Sequence, residues 1–361
     1  MKNNISVMVI IGIMFLTGCA ETYSVEDRAI IRVAGYDFVD EDRLKATVAV
    51  PQYGRGESSG TPTEKYQSAV DHSVKEAHEN IQRKLSKPIS IGKLEISLFN
   101  EELTKNGLKN IIDFLGRDPK IGRNILLSVV KGETQGLIEA KYSESETTSK
   151  YITGLIKQNI NQSNFPETNL HKFLYAYYAD GMDPFLPLIK RTDSQVEIDG
   201  IAFFDGAKMV HSLPYSEAFN FKIMKQDFNR GTKGIKYKEE HIVLENIGSR
   251  VTYHVIDGIE HPKFLLDIKI KGFINEVQNI NLMLNGPVIK SMEKDFEKSL
   301  QAQCIEMIER FQELKIDPLG LGNDLKNRRE HFDLKKWEDV YPTVPVDVKI
   351  DVEIIETGIT S

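Results

Sequence analysis

The chain has 361 residues, with 53 acidic against 46 basic side chains and a formal net charge of −7. That balance excludes a general nucleic-acid binder, which needs a basic face for phosphate contacts. The acidic excess also does not favour tight adhesion to anionic lipid headgroups.

Lys2 is the only charge in the first eighteen residues, and Ile5 to Leu16 is almost unbroken apolar sequence. At a helical rise of ~1.5 Å per residue, the run spans roughly 18 Å, well short of a ~30 Å hydrocarbon core. A short apolar run behind a basic start and before small residues reads as a signal peptide over residues 1–18. Leu16-Thr17-Gly18-Cys19 resembles a lipobox. That resemblance implies cleavage before Cys19 and a diacylglyceryl thioether on its sulfur. Burying acyl chain contributes ~0.8 kcal/mol per methylene, so two chains hold a protein stably at a bilayer. No later segment approaches about twenty apolar residues, so the mature chain is expected to sit on a membrane without spanning it. Loss of Lys2 leaves 45 basic against 53 acidic residues, a net of −8, so the lipid must do the anchoring. With Cys19 acylated, Cys304 has no intrachain partner, and stability must come from ordinary cores.

Beyond a polar tether, Ala29–Ala34 reads as a strand, and Leu44–Val50 alternates well enough to be its hairpin partner. A Gly-, Ser- and Pro-containing loop follows from Pro51 to Pro62. From Thr63 to Leu85, apolar residues recur at threes and fours (Tyr66, Ala69, Val70, Val74, Ala77, Ile81), which predicts one amphipathic helix with Thr63 as N-cap. Leu94–Leu98 and Ile125–Val130 read as strands. Leu108–Leu115, Lys150–Ile160 and Leu170–Ala179 read as helices, broken by Asp183-Pro184-Phe185-Leu186-Pro187.

The character changes near Asp193. Val196–Phe204 and Lys208–Ser212 predict a hairpin around Asp205-Gly206, followed by a short helix over Tyr215–Lys225. Strands are expected near Ile235–Leu244, Ser249–Ile256 and Phe264–Val277. Pro287 opens the longest helix, to about Lys315, with a stripe from Ile289 through Cys304 to Leu314. Cys304 is thereby a small apolar residue on a core face. Asp317-Pro318-Leu319-Gly320 ends that helix, and Asn323 or Asp324 is expected to cap the next, with Trp337 at a later helix end. Val346 to Ile354 alternates strictly with charged residues, the cleanest strand signal in the chain.

Reactive constellations are scarce. The eight histidines are His72, His78, His171, His211, His241, His254, His261 and His331, and none forms a zinc-protease pattern. Each reads as solvated or core. No Gly-x-Ser-x-Gly elbow is present. Leu319-Gly320-Leu321-Gly322-Asn323 follows a helix and not a strand, so it reads as a chain reversal and not a dinucleotide loop. Phe173, Tyr175, Tyr177 and Tyr178 read as core or interface in preference to a pocket lining. No catalytic residue, cofactor or metal site is expected.

Several stretches, kept in order across nearly the whole mature chain, resemble one family, the Ger(x)C lipoproteins. The opening Val25-Glu26-Asp27-Arg28-Ala29-Ile30-Ile31 with Gly35-Tyr36-Asp37 is similar to its first strand. Ser59-Gly60-Thr61, Glu101-Glu102-Leu103, Asn106-Gly107-Leu108 and Phe114-Leu115-Gly116-Arg117-Asp118-Pro119 resemble its next blocks. Asp183-Pro184-Phe185-Leu186-Pro187 and Gly200-Ile201-Ala202-Phe203-Phe204 resemble its domain junction, and Asp317-Pro318-Leu319-Gly320-Leu321-Gly322 its C-terminal signature. Family members commonly place Trp-Asp after the lipidated cysteine, where this chain has Ala20-Glu21.

The resemblance implies an α+β protein of three mixed α/β domains with largely antiparallel sheets. The expected divisions are a tether at 19–28, an N-terminal domain at 29–193, a small middle domain at 194–248, and a C-terminal domain with the long helix at 249–361. It further implies the C subunit of a nutrient germinant receptor, held by Cys19 on the outer face of the inner spore membrane. Its partners would be two integral-membrane subunits, of A and B type. A solute-binding lipoprotein of a transporter and a cell-wall hydrolase are the alternatives. Successive alternating strands in the second half disfavour the repeated strand-helix lobes of a solute binder.

Overall fold

The computed structural model describes residues 27–52, 63–143, 145–238, 240–256, 261–277, 285–328 and 332–357. The signal peptide, the lipobox and Cys19 lie outside the described residues. No helix among the described residues is long and apolar enough to cross a membrane.

The first half supplies β1 (Ala29–Ile30), β2 (Val33–Phe38), β3 (Leu44–Gln52), β4 (Thr63–Asp71), β5 (Ile89–Ser90), β6 (Ile96–Asn100) and β7 (Leu126–Lys131). They are joined by β8 (Phe185–Arg191), β9 (Val196–Asp205) and β10 (Lys208–Pro214). Eight of these form one sheet in the order β10-β9-β8-β7-β6-β2-β3-β4, while β1 and β5 make a short parallel pair. The central strands β2, β6, β7 and β8 run parallel, and antiparallel pairs flank them. Parallel strands are covered on both faces, so they read as near-continuous apolar runs, as Leu126–Val130 does with Ser128 its one polar residue.

Helices cover both faces. On one side lie α1 (Val74–Gln82), α2 (Glu101–Asn106) and α3 (Lys109–Arg117), and on the other α4 (Thr134–Ile138) and α5 (Thr148–Gln162). The chain then returns to the first side with α6 (Leu170–Tyr178). Ile81, Ile112, Leu115 and Phe173 pack with Tyr36, Phe99 and Leu127 in one core. Ile138, Ile152 and Ile156 pack with Val33, Leu98 and Ile189 in another. Buried Asp37 reaches across from β2 to cap α4, its carboxylate accepting from the Thr134 amide at 2.7 Å and the Thr134 hydroxyl at 2.8 Å. A Cβ on Gly35 would stand 2.4 Å from Thr134 Oγ1, so this approach needs glycine.

The second half begins with α7 (Ala218–Lys225), then β11 (Thr232–Tyr237), β12 (Glu240–Ile256) and β13 (Lys263–Val277). The long α8 (Gly286–Glu313), α9 (Leu321–Asn327), α10 (Leu334–Val340) and β14 (Val346–Thr357) complete it. The four strands form a sheet in the order β11-β12-β13-β14. Met292, Phe296, Leu300, Met307 and Phe311 of α8 bury against Leu266, Ile268, Val348 and Ile350. The far face carries cross-strand pairs such as Lys263–Asp347 and Lys271–Glu353, which solvate the sheet and add little stability. Ile201, Phe203 and Leu213 from β9 and β10 enter this same core, which joins the two sheets. The mixed α/β class with antiparallel sheets is as the sequence predicts.

Several local expectations are corrected. Thr63–Asp71 is not helical but an edge strand paired residue for residue with β3. An edge strand lacks a second partner to impose alternation, so helical spacing arises by accident and cross-strand pairing overrides it. The helix starts after Ser73, whose hydroxyl accepts from the Glu76 amide. A turn at Lys238, with φ of 54°, splits the strand expected over Ile235–Leu244. Its second part joins the next into one long β12, bulged between Asn246 and Gly248. Phe185-Leu186-Pro187, read from sequence only as part of a helix breaker, opens strand β8. The internal boundaries at 193/194 and 248/249 do not separate sheets. The first falls between the paired strands β8 and β9, and the second falls inside β12.

Candidate functional site at the joint between the two sheets

The loop after α6 and the loop after α8 meet at the joint, and each carries an Asp-Pro step: Asp183-Pro184 and Asp317-Pro318. The Asp183 amide donates to the Asp317 carbonyl at 3.0 Å, and the Asp317 amide donates to Asp183 Oδ2 at 2.7 Å. Asp183 Oδ1 also accepts from the Gly206 amide at 3.3 Å, tying in the β9–β10 hairpin.

Asp317 caps α9. Its Oδ1 accepts from the Gly320 and Leu321 amides at 2.7 and 3.0 Å, and its Oδ2 from the Gly322 amide at 2.8 Å. The Leu321 and Gly322 amides are N-terminal helix donors that would otherwise be orphaned, whereas the Gly320 amide also reaches the Asp317 carbonyl at 3.1 Å. The expected caps, Asn323 and Asp324, lie one turn too late. Asn323 instead donates its amide to the Gly181 carbonyl at 2.8 Å and accepts from the Tyr175 hydroxyl at 2.9 Å. Gly181 has φ of 70°, and a Cβ there would fall 2.7 Å from Gly322 Cα. A Cβ on Gly322 would fall 2.3 Å from Trp337 Nε1, so two glycines let the loops touch.

Lys225 of α7 closes the joint from below. Its ammonium donates to the Pro318 and Leu319 carbonyls at 2.8 and 3.1 Å. Burial lowers its pKa to about 8. Burial pushes Asp317 up to about 7 against the pull of its backbone donors, with the Asp183 charge adding to the rise. Asp183 is pushed up to about 6 for the same first reason, with Asp205 and Glu338 adding to it.

Beside the pair opens a polar cavity of about 540 Å3, lined in part by Tyr177, Asp205, Lys315, Trp337, Glu338 and Tyr341. The carboxylates of Asp183 and Asp317 are committed to backbone N–H groups, so their arrangement is that of a clamp. No group of three or more His, Cys, Asp or Glu among the described residues is placed to hold a metal.

The residues singled out from sequence scatter. Cys304 is buried in α8, with its thiol pushed up to about 12 by burial. His78 is half-buried between Tyr36 and Phe114, and desolvation lowers its pKa to about 4. Phe173 is core, whereas Tyr175 and Tyr178 stand 50% and 67% exposed. Sequence reasoning missed Asp317 as a cap, although Asp three residues before Gly-x-Gly is the available signal. It missed Lys225 entirely, since nothing local marks a lysine that will meet carbonyls 93 residues away.

Residues 22–191 match the family model described as the spore germination protein N-terminal domain, and residues 199–358 match that described as spore germination B3/GerAC like, C-terminal. Spore germination protein GerQC of Bacillus cereus is 30% identical over 350 residues, covering 96% of this chain and 97% of that one. Spore germination protein KC of Bacillus subtilis is 22% identical, covering 98% and 96%. The crystal structure of the GerBC protein superimposes with a TM-score of 0.60 at 18% identity, over 90% of this chain and 97% of that one, which speaks to the fold. Both Asp-Pro loops of the joint fall inside matched segments. By its two family models in order and its end-to-end relative, the chain belongs to the GerAC-like, or Ger(x)C, family of spore germination proteins.

Proposed function

We propose that this chain is the non-catalytic lipoprotein subunit of a nutrient germinant receptor, acylated on Cys19 and held on the outer face of the inner spore membrane. It would assemble there with two integral-membrane subunits, of A and B type, and be required for the response to nutrients. The observation that carries this reading is the commitment of Asp183 and Asp317. The buried acids of the joint spend their oxygens on backbone amides, which suits a part that couples two bodies and not one that performs acid–base chemistry. The family membership and the lipobox-like Leu16-Thr17-Gly18-Cys19 support the location and the class of partner.

The test is genetic. Spores lacking this gene should fail to germinate with one nutrient while still responding to dodecylamine, and an alanine at Cys19 should abolish palmitate incorporation. Normal germination of the deletion strain with every nutrient tried would overturn the reading.

A further inference from the structure

The outer surface of the helical layer built by α1, α3 and α6 carries a charge opposite to that of the chain. Two open cavities of about 750 and 530 Å3 lie along it and share Arg117. The first is lined by Arg28, Lys75, Arg117 and Lys120. The second is lined by Arg117, Arg123 and Lys326, with His171 and no carboxylate. Across both, six Lys or Arg side chains stand against three acids, Glu79, Asp113 and Asp118, on a chain of net charge −7. Arg117 pairs with Asp113 at 2.6 Å and Lys326 with Asp180 at 2.8 Å, so with Asp180 counted the face holds six bases against four acids and stays net positive. Tyr175 and Tyr178, both exposed, line the second cavity. Tyrosine is enriched where protein meets the bilayer–water boundary.

The same face holds the root of the tether. Arg28 lines the first cavity, and the next residues are fixed to the body by the Ala29 amide on the Pro88 carbonyl and the Ile31 amide on the Ser90 carbonyl, each at 2.9 Å. From Cys19 to Arg28 an extended chain of ~3.3–3.6 Å per residue reaches at most roughly 30 Å. A body acylated at Cys19 therefore keeps this edge near the bilayer.

We propose that the surface running from Arg28 through Arg117 to Lys326 is the membrane-facing side of the body and docks on the phosphates of anionic lipid headgroups. The proposal rests on acylation at Cys19. It also refines the expectation drawn from overall charge. Screening limits a headgroup to charges within ~10 Å, so it meets this local face and not the chain's net −7.

The test uses the mature acylated protein reconstituted in phosphatidylglycerol–phosphatidylcholine vesicles that contain a headgroup-level quencher lipid. A fluorophore is placed on K120C or on K298C; Lys298 lies exposed on α8 and lines neither cavity. Buried Cys304 will not compete for label. Quenching should be several-fold stronger at 120 than at 298, and the contrast should weaken in pure phosphatidylcholine and at high salt. The K75E/K120E variant of the unacylated mature chain should bind anionic vesicles more weakly than the unaltered chain, by at least about fivefold per lysine reversed.

Equal quenching at the two positions would overturn the proposal. So would contrast that arises only when the two integral-membrane subunits are co-reconstituted, which would assign the face to a protein partner. Failure of the anchor is read separately, as absence of palmitate from the unaltered protein.

Discussion

Asp183 and Asp317, 134 residues apart in sequence, are joined by reciprocal hydrogen bonds at the joint between the two sheets. Each aspartate also organises its own side: Asp183 holds the Gly206 turn, and Asp317 holds the start of α9. An apolar contact can slide, because burial is non-directional. A set of backbone donors converging on fixed carboxylate oxygens cannot slide without orphaning buried groups. The joint is therefore set in one geometry by polar pairing, while the shared core of Phe203, Phe221 and Phe311 supplies area.

Asp317→Ala leaves the Leu321 and Gly322 amides at the start of α9 without their acceptor, while the Gly320 amide keeps the backbone carbonyl of residue 317 at 3.1 Å. An unsatisfied buried group costs ~1–3 kcal/mol, and water from the adjacent cavity will recover part of that loss. Urea unfolding should therefore show about 3 kcal/mol of destabilisation. Asp317→Asn, which keeps one acceptor oxygen, should lose less. Asp324→Ala removes only an exposed pair with Arg328 and should cost under about 1 kcal/mol. Equal losses at 317 and 324 would show that Asp317 is not the cap.

The glycine contact makes a second prediction. Gly181→Ala must accept φ of 70° and a Cβ 2.7 Å from Gly322 backbone, and should destabilise by about 1–3 kcal/mol. Gly154 lies in α5 with open space around its Cβ position. Alanine there should stabilise by up to about 1 kcal/mol, the helix-propensity difference. Opposite signs for the two Gly→Ala changes, read from urea midpoints, are the expected result.

Most elements were legible because their faces repeat. The α8 stripe and the Val346–Ile354 alternation survive in the structure nearly residue for residue. The edge strand β4 was not legible, since its partly exposed residues carry no enforced period and its pairing comes from β3. The motifs that resemble the family were visible singly, yet their meeting was not. Nothing local says that Gly181 will lie on Gly322, because that contact is made by the tertiary fold. Lys225 was invisible for the same reason.

Cys304 offers a probe of the buried stripe. With its side chain fully buried and its thiol pushed up to about 12, it has almost no thiolate near neutrality. With Cys19 acylated or replaced by alanine, native protein should resist maleimide at pH 7.5, and labelling should appear only across the urea transition. Rapid labelling of folded protein would mean that α8 opens locally well below the global unfolding free energy.

The acid pair sets a pH dependence whose sign can be worked out. Burial raises Asp183 to about 6 and Asp317 to about 7, against ~3.9 for an unfolded aspartate. Between about pH 4 and 7 the folded chain holds protons that the unfolded chain has released. The pair's contribution is thus present at low pH and lost as pH rises through the folded values. His78 acts in the opposite sense: lowered to about 4, it contributes above ~6.5 and loses that contribution as pH falls. The raw profile mixes the two, so the informative quantity is the stability gap between the unaltered chain and Asp183→Asn, which carries no charge at 183 at any pH. Each pH unit of displacement is ~1.4 kcal/mol. From pH 4.5 to 7.5 that gap should therefore move against the unaltered chain by about 2 kcal/mol in urea unfolding. A gap moving the other way would mean that the backbone donors outweigh burial and hold Asp183 ionised.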